Sequence, residues 1–369
     1  MIKKFIFCFM AVFLFSAAAF ALGDGEETVW TDMSPYPVIG KVCDSTTTRW
    51  ERLTRDLEPL TRKPVWDLGH CSSGLAIRFR TDSPSIRLRW SCILDSHMGH
   101  MADCGNGGAD LYVYDGGKWR FAGSAFTWAL TKGMKEHLMV SGMNPEPREF
   151  MLYLPLYDGV KTVEIGIPEG RVICQPQLRT LDTERPVVMY GTSILQGGCA
   201  SRPGMAYTNI LERRLGREVV NLGFSGNAKL DYEIASYMTR VDNPSVFVLD
   251  FGPNSDSTLI CEKGERFFDI LRKAHPQTPV IFVETEIYPS SVVNMDKRHE
   301  YESRNKAISN LFRALKARGE KKLLYVPAEG LIGLDGEATV DGEHLTDLGM
   351  MRYAGVMERY IRKALKMNK

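Results

Sequence analysis

Five short, almost wholly apolar runs in the second half of the chain constrain its fold more than any other feature: residues 187–190, 219–222, 246–249, 280–283 and 323–326. Between and after them, residues 207–215, 232–238, 267–274, 303–317 and 348–365 repeat apolar side chains every three or four positions. Strand and helix alternating at this spacing predict a parallel sheet with helices on both faces, because only a strand buried on both sides can dispense with polar residues. Ligands of such sheets bind beyond the carboxyl ends of the strands. The residues closing each run are therefore where chemistry is expected.

Those ends are Gly191-Thr192-Ser193, Gly223-Phe224-Ser225-Gly226-Asn227 and Asp250-Phe251-Gly252-Pro253-Asn254, each with a glycine that lets backbone N–H groups approach a ligand. The last run leads to Asp341-Gly342-Glu343-His344. An Asp three residues before a His can hold the imidazole Nδ1 and leave Nε2 free to face a serine, giving nucleophile, base and orienting acid in the chain order Ser193, Asp341, His344. The N–H groups of Ser193 and Gly226 with the Asn254 side chain would form an oxyanion hole. Singly, each piece has a plainer explanation: a serine after a strand is more often a helix cap, and a G-x-N more often a turn. Their occurrence at four strand ends in one order is what points to catalysis. Glu284 and Glu286, after the fourth run, compete with Asp341 as the acid, and Gln196 and Glu284 are candidate substrate contacts.

The first half follows a different grammar. Leu75, Ile77 and Phe79 alternate with Arg78 and Arg80, and Ile86, Leu88 and Trp90 with Arg87 and Arg89, the period of half-buried strands. Turn chemistry at Thr81-Asp82-Ser83-Pro84 predicts a hairpin between them. A second hairpin is expected around Asp115-Gly116-Gly117, with Leu111 and Val113 facing Trp119 and Phe121, and a third joins residues 151–156 to 163–167. The result is a β-sandwich over residues 27–180, without helices of any length. Trp90, Trp119 and Trp128 could stack on sugar rings, although core packing is the commoner use of Trp. His97 and His100, followed by Asp103 and Cys104, have a spacing compatible with zinc, but a Gly-rich loop with two histidines is more simply a loop reaching toward a neighbouring site, so both are candidate substrate contacts.

The N-terminus reads as a secretory signal over residues 1–21: Lys3 and Lys4, an apolar stretch over 5–15, and Ala19-Phe20-Ala21 as cleavage site. Residues 22–182 then form the β domain and 183–369 the α/β domain, with export to periplasm or medium expected. No later stretch is long and uncharged enough to span a bilayer. Losing Lys3 and Lys4 takes the net charge from +1 to −1, which favours neither nucleic acid nor an anionic membrane as partner. Seven cysteines would remain, an odd number at irregular spacing that defines no disulfide pairing. Oligomeric state leaves no trace in the sequence.

The four blocks resemble those of the SGNH (GDSL-type) hydrolases over about residues 185–369. The stretches S-G-L-A-I-R-F, G-A-D-L-Y at Gly108–Tyr112 and Y-L-P-L-Y-D-G-V are similar to the N-terminal β domain of a two-domain subgroup named for its GxDLY motif. The resemblance implies a three-layer, flavodoxin-like domain of five parallel strands behind a jelly-roll-like sandwich. By that match Ser193 is the nucleophile, Gly226 and Asn254 the oxyanion donors, and His344 with Asp341 the base and its partner, with no metal or organic cofactor. Thr192 departs from the family's usual Asp before the serine. The implied activity is hydrolysis of small acyl esters, O-acetyl groups on carbohydrate foremost. A lipase or thioesterase of other specificity, or an inactive carbohydrate-binding protein, are the alternatives.

Overall fold

The structure is a computed structural model describing residues 27–126 and 132–367. The expected signal segment, residues 1–21, and Trp128 lie outside the described residues.

Among the described residues, ten strands make up the first module: β1 (Thr28–Asp32), β2 (Val38–Ile39), β3 (Ala76–Thr81), β4 (Ile86–Cys92), β5 (Ala109–Asp115), β6 (Lys118–Ala125), β7 (Met134–Val140), β8 (Arg148–Tyr153), β9 (Val160–Pro168) and β10 (Ile173–Cys174). One sheet runs β1-β9-β4-β7, and the other β10-β3-β8-β5-β6 with β2 beside β3. Leu75, Ile77 and Phe79 from one sheet meet Leu88, Trp90 and Ile165 from the other in a shared core, as the alternation demands. Only the β5–β6 hairpin has the expected partners. β3 and β4 lie in different sheets, as do β8 and β9, so both expected hairpins are arches from one sheet to the other. Period-two alternation fixes which side chains face inward and is the same for a hairpin and an arch. Trp90 is core, at 2% exposure, and its indole N–H donates to Gly107 O.

The module also contains helices, contrary to expectation: α1 (Lys63–Gly69) and the single turn α2 (Asp103–Asn106). The reason is where residues 42–69 go. Val42, Leu53, Leu57 and Val65 leave the sandwich and pack into a core of the second module, where a helix buries an apolar stripe better than a strand edge would.

The second module is a five-stranded parallel sheet: β11 (Asp182–Gly191), β12 (Arg217–Gly223), β13 (Val246–Asp250), β14 (Val280–Val283) and β15 (Leu323–Val326), in the order β12-β11-β13-β14-β15. This is the flavodoxin-like order, with its switch point beside β11. Alternate residues serve two cores. Val187, Met189, Val248 and Ile281 face α4 (Tyr207–Leu215) and α8 (Asp347–Lys366). Val188, Tyr190, Phe247 and Phe282 face α5 (Tyr232–Met238), α6 (Ser257–Ala274) and α7 (Met295–Ala317). A further turn, α3 (Ser193–Gln196), follows β11 directly. Helices α6 and α7 start earlier than their apolar periodicity suggests, at N-caps where Asp256 accepts from Leu259 N–H and Asn294 from Lys297 N–H. No helix among the described residues is long and apolar enough to cross a membrane.

Candidate active site

Ser193 is the first residue of α3, at the carboxyl end of β11, the strand beside the switch point of the sheet. Thr192 caps the turn, its hydroxyl accepting from Ile194 N–H at 3.3 Å, the capping role open to a short polar side chain at that position. The turn is pressed onto the next strand. A Cβ on Gly223 would come within 2.3 Å of Gln196 N, so the small residue there is a packing requirement.

Ser193 Oγ lies 2.9 Å from His344 Nε2, and His344 Nδ1 lies 2.8 Å from Asp341 Oδ2. The other Asp341 oxygen accepts from the backbone N–H groups of His344 (2.8 Å) and Glu343 (3.0 Å). One carboxylate thus closes the loop and orients the ring. Burial pushes this carboxyl up, but the ring and backbone donors of His344 and the Glu343 N–H outweigh it and hold it at about 2, so it is an anion across the physiological range. The loop is pinned further by Val340 N–H donating to His344 O at 2.8 Å and by fully buried Leu345.

The strand register places the other two loops on either side. Gly191 pairs with Gly223 of β12 and with Asp250 of β13, so residues 224–227 and 251–254 flank Ser193. Among the described residues, the N–H groups of Ser193 and Gly226 have no acceptor. Gly226 holds φ at +67°, the left-handed region that favours glycine. Asn254 Oδ1 accepts from Ala228 N–H at 3.3 Å, which commits its oxygen and leaves the amide nitrogen as the free donor.

Other candidate residues are placed elsewhere. Gln196 is fully buried, donating to Leu156 O (3.2 Å) and accepting from Ser225 N–H (3.0 Å). It ties the nucleophile turn to the Gly226 loop and is not open to a substrate. Glu284 accepts from the Tyr325 hydroxyl and from Ala328 N–H, so both its oxygens are engaged. Glu286 is buried against Tyr288. Neither glutamate bonds to His344. Asp250 is buried as well, accepting from the Tyr207 and Tyr353 hydroxyls at 2.6 and 2.9 Å and so fixing α4 and α8 under the site.

The first module takes part directly. The arch between β8 and β9 runs beneath the nucleophile turn, where the Tyr157 hydroxyl donates to Ser193 O at 3.2 Å. Asp158 in the same arch accepts from Leu94 and Ser96 N–H. This steers the loop after β4 toward the site and brings the His100 ring to 5.5 Å from that of His344. His97 pairs with Asp103 at 2.7 Å instead.

Three further residues of this module hold it to the second, and of these only Asp110 lies in a stretch that stands out in the sequence. Arg52, fully buried, donates to the carbonyls of Asn221 and Gly223 in β12 and of Leu68 and Cys71 in its own module. Arg62 grips the Gly226 loop by its neighbours, donating to Asn227 Oδ1 (2.8 Å) and to both Asp231 oxygens (2.8 and 2.9 Å). Asp110, the acid of the G-A-D-L-Y stretch, accepts from Arg202 (2.6 Å) and Gly204 N–H (2.7 Å). Neighbouring Ser201 donates through N–H and hydroxyl to Asp347 at the start of α8. The motif is thus a latch between the modules, one segment away from His344.

Known families and solved structures share this architecture. The profile of the GDSL-like lipase/acylhydrolase family matches residues 184–362, and that of the GxDLY N-terminus of SGNH-hydrolase-type esterases matches residues 28–173. A Bacteroides ovatus protein described as a GDSL-like lipase is 33% identical, with a TM-score of 0.87 over 92% of this chain and 98% of its own. Two more distant structures share the fold. They are the salicylyl-acyltransferase SsfX3 of a tetracycline biosynthetic pathway (16% identity, TM-score 0.73, 92% and 97% covered) and the acetyl xylan esterase Est2A of the rumen bacterium Butyrivibrio proteoclasticus (11%, 0.58, 92% and 100%). A search of curated proteins found no match. With both modules matched in order and 33% identity to a relative over 92% of this chain, the chain belongs to the GDSL-like lipase/acylhydrolase family, in the group that carries a GxDLY N-terminus.

Proposed function

We propose that the protein is an exported serine esterase that removes small acyl groups, acetyl foremost, from carbohydrate. The observation that carries the catalytic part is the unbroken line from Ser193 Oγ through His344 to Asp341, at 2.9 and 2.8 Å. In this reading His344 Nε2 takes the Ser193 proton as Oγ attacks the ester carbonyl. The negative charge that develops on the carbonyl oxygen meets the N–H groups of Ser193 and Gly226 and the Asn254 amide. His344 then returns the proton to the departing alcohol, and a water, activated by the same nitrogen, releases the acid from the acyl-serine. Asp341 keeps Nδ1 protonated and stabilises the imidazolium formed in each half-reaction. The Lys3, Lys4 and Ala19-Phe20-Ala21 pattern supports export. The acetyl xylan esterase and family-two carbohydrate esterases of the same fold support the sugar ester.

Acetate release from a panel of acetylated glycans tests the substrate, with aryl esters of increasing acyl length alongside. The expected outcome is release from at least one glycan and an aryl-ester rate that falls as the acyl chain grows. Turnover restricted to long acyl chains would make the protein a lipase, and no turnover with retained glycan binding would make it a binding protein. Asn254→Ala is expected to lower kcat by about 10²- to 10³-fold with a small change in KM. A loss confined to KM would move Asn254 from oxyanion donor to substrate contact.

A further inference from the structure

Three metal-ligating side chains meet beside the nucleophile. Ligand atoms of His100, Cys199 and His344 all lie within 4.8 Å of one another. A tetrahedral zinc ion with N and S ligands spaces them by about 3.3–3.8 Å, so closing the triangle takes shifts of about 1 Å or a little more, which the exposed His100 ring is the freest to make. The three come from three segments that the fold holds together. His100 sits on the loop steered by Asp158 and is followed by Met101, 4% exposed in the core under the site. Cys199 lies in the turn after α3, and His344 precedes α8.

The Cys199 turn and the His344 ring touch. A Cβ on Gly198 would come within 3.2 Å of His344 Cδ2. Cys199 itself holds φ at +66°, a left-handed conformation that residues with a side chain seldom adopt. Among the described residues, neither the His100 ring nitrogens nor Cys199 Sγ has a hydrogen-bond partner. Burial, with the Asp341 charge adding, pushes the Cys199 thiol up to about 12. Unassisted it is a neutral, unreactive thiol; a cation beside it would draw its proton off.

We propose that His100, Cys199 and His344 form an inhibitory site for a borderline-soft divalent cation of the zinc class. The nitrogen of His344 that binds is Nε2, since Nδ1 is held by Asp341. Coordination takes the lone pair that would accept the Ser193 proton, so the bound form is inactive. The Cys199 thiol gives up its proton to solvent as the metal–sulfur bond forms, no electron changes hands, and a water or Ser193 Oγ completes four-coordination. A thiolate and two imidazoles do not suit calcium or magnesium, which take oxygen ligands.

The inhibition rests on the esterase reading, whereas the binding does not, and two measurements separate them. Cobalt(II), a spectroscopic stand-in for zinc, is titrated into chelator-washed Ser193→Ala protein. A thiolate-to-cobalt charge-transfer band saturating at one equivalent is expected, lost in the background of Cys199→Ser and shifted to weaker binding by His100→Gln. In parallel, zinc is titrated into aryl acetate assays of the protein with Ser193 intact. Inhibition reversed by EDTA is expected, and Cys199→Ser should keep the metal-free rate while needing at least about tenfold more zinc, the scale on which metal-site substitutions act. No charge-transfer band, or equal zinc sensitivity with and without Cys199, overturns the proposal. Cobalt binding through Cys199 in a protein without esterase activity would uphold the metal site and sink the esterase reading.

Discussion

Ser193→Ala is expected to lower kcat for an aryl acetate by about 10⁶-fold, and His344→Ala alone by the same order, because a nucleophile and its base act as a unit. Their 2.9 Å separation is what makes them one. Without the imidazole the hydroxyl stays a neutral alcohol, and without the hydroxyl the imidazole has nothing to activate except water. The double variant should therefore be no slower than either single one, where independent contributions would multiply. The residual rate should still exceed the uncatalysed one by about 10³-fold, since the backbone donors at Ser193 and Gly226 survive both changes. Steady-state rates on proteins with matched melting temperatures check this. A multiplicative double variant would mean that Ser193 and His344 serve separate steps.

Asp341→Ala should cost about 10⁴-fold in kcat, less than loss of the base but more than loss of an oxyanion donor. The carboxylate makes three hydrogen bonds, one to the imidazole and two to the backbone of its own loop. Asp341→Asn separates the two roles. Its amide oxygen can still accept from the loop N–H groups, but the neutral amide neither stabilises an imidazolium nor enforces the Nδ1–H tautomer. Asn should thus match Ala in kcat while keeping most of the melting temperature that Ala loses. Because the folded carboxyl is depressed to about 2, its contribution to stability is present above the ordinary Asp value near 4 and fades as pH falls toward 2. The melting curves of parent and Asn variant should therefore converge as the solution is acidified through that window. Full activity in the Asn variant would hand the orienting role to another group, although neither Glu284 nor Glu286 is bonded to His344.

The parallel sheet was legible because burial on both faces leaves no polar register to misread: all five apolar runs are strands, and the glycine-bearing ends lie where the topology predicts. The Asp341–His344 geometry was legible because three residues of spacing contain it. The sandwich was harder. The alternation of Leu75, Ile77 and Phe79 against Ile86, Leu88 and Trp90 is equally satisfied by a hairpin and by an arch, and the structure builds the arch. Arg52 and Arg62 left no signal, since each sits in a stretch without periodicity and bonds to partners as far as 171 residues away. Asp110 was visible as part of a motif, but its work, holding Arg202 and Gly204 of the other module, appears only when the two are docked. Gln196 and Glu284 show the converse. A polar residue near a strand end reads as a substrate contact, whereas here both side chains brace loops.

Intact-mass and peptide mass spectrometry after treatment with a fluorophosphonate tests whether Ser193 is an activated nucleophile, because the reagent reports such a serine without any assumption about substrate. One adduct per chain is expected, on the peptide bearing Ser193, formed in step with loss of aryl acetate hydrolysis and absent in His344→Ala. Hydrolysis that persists in the fully labelled protein, or an adduct on a serine other than Ser193, would contradict that role.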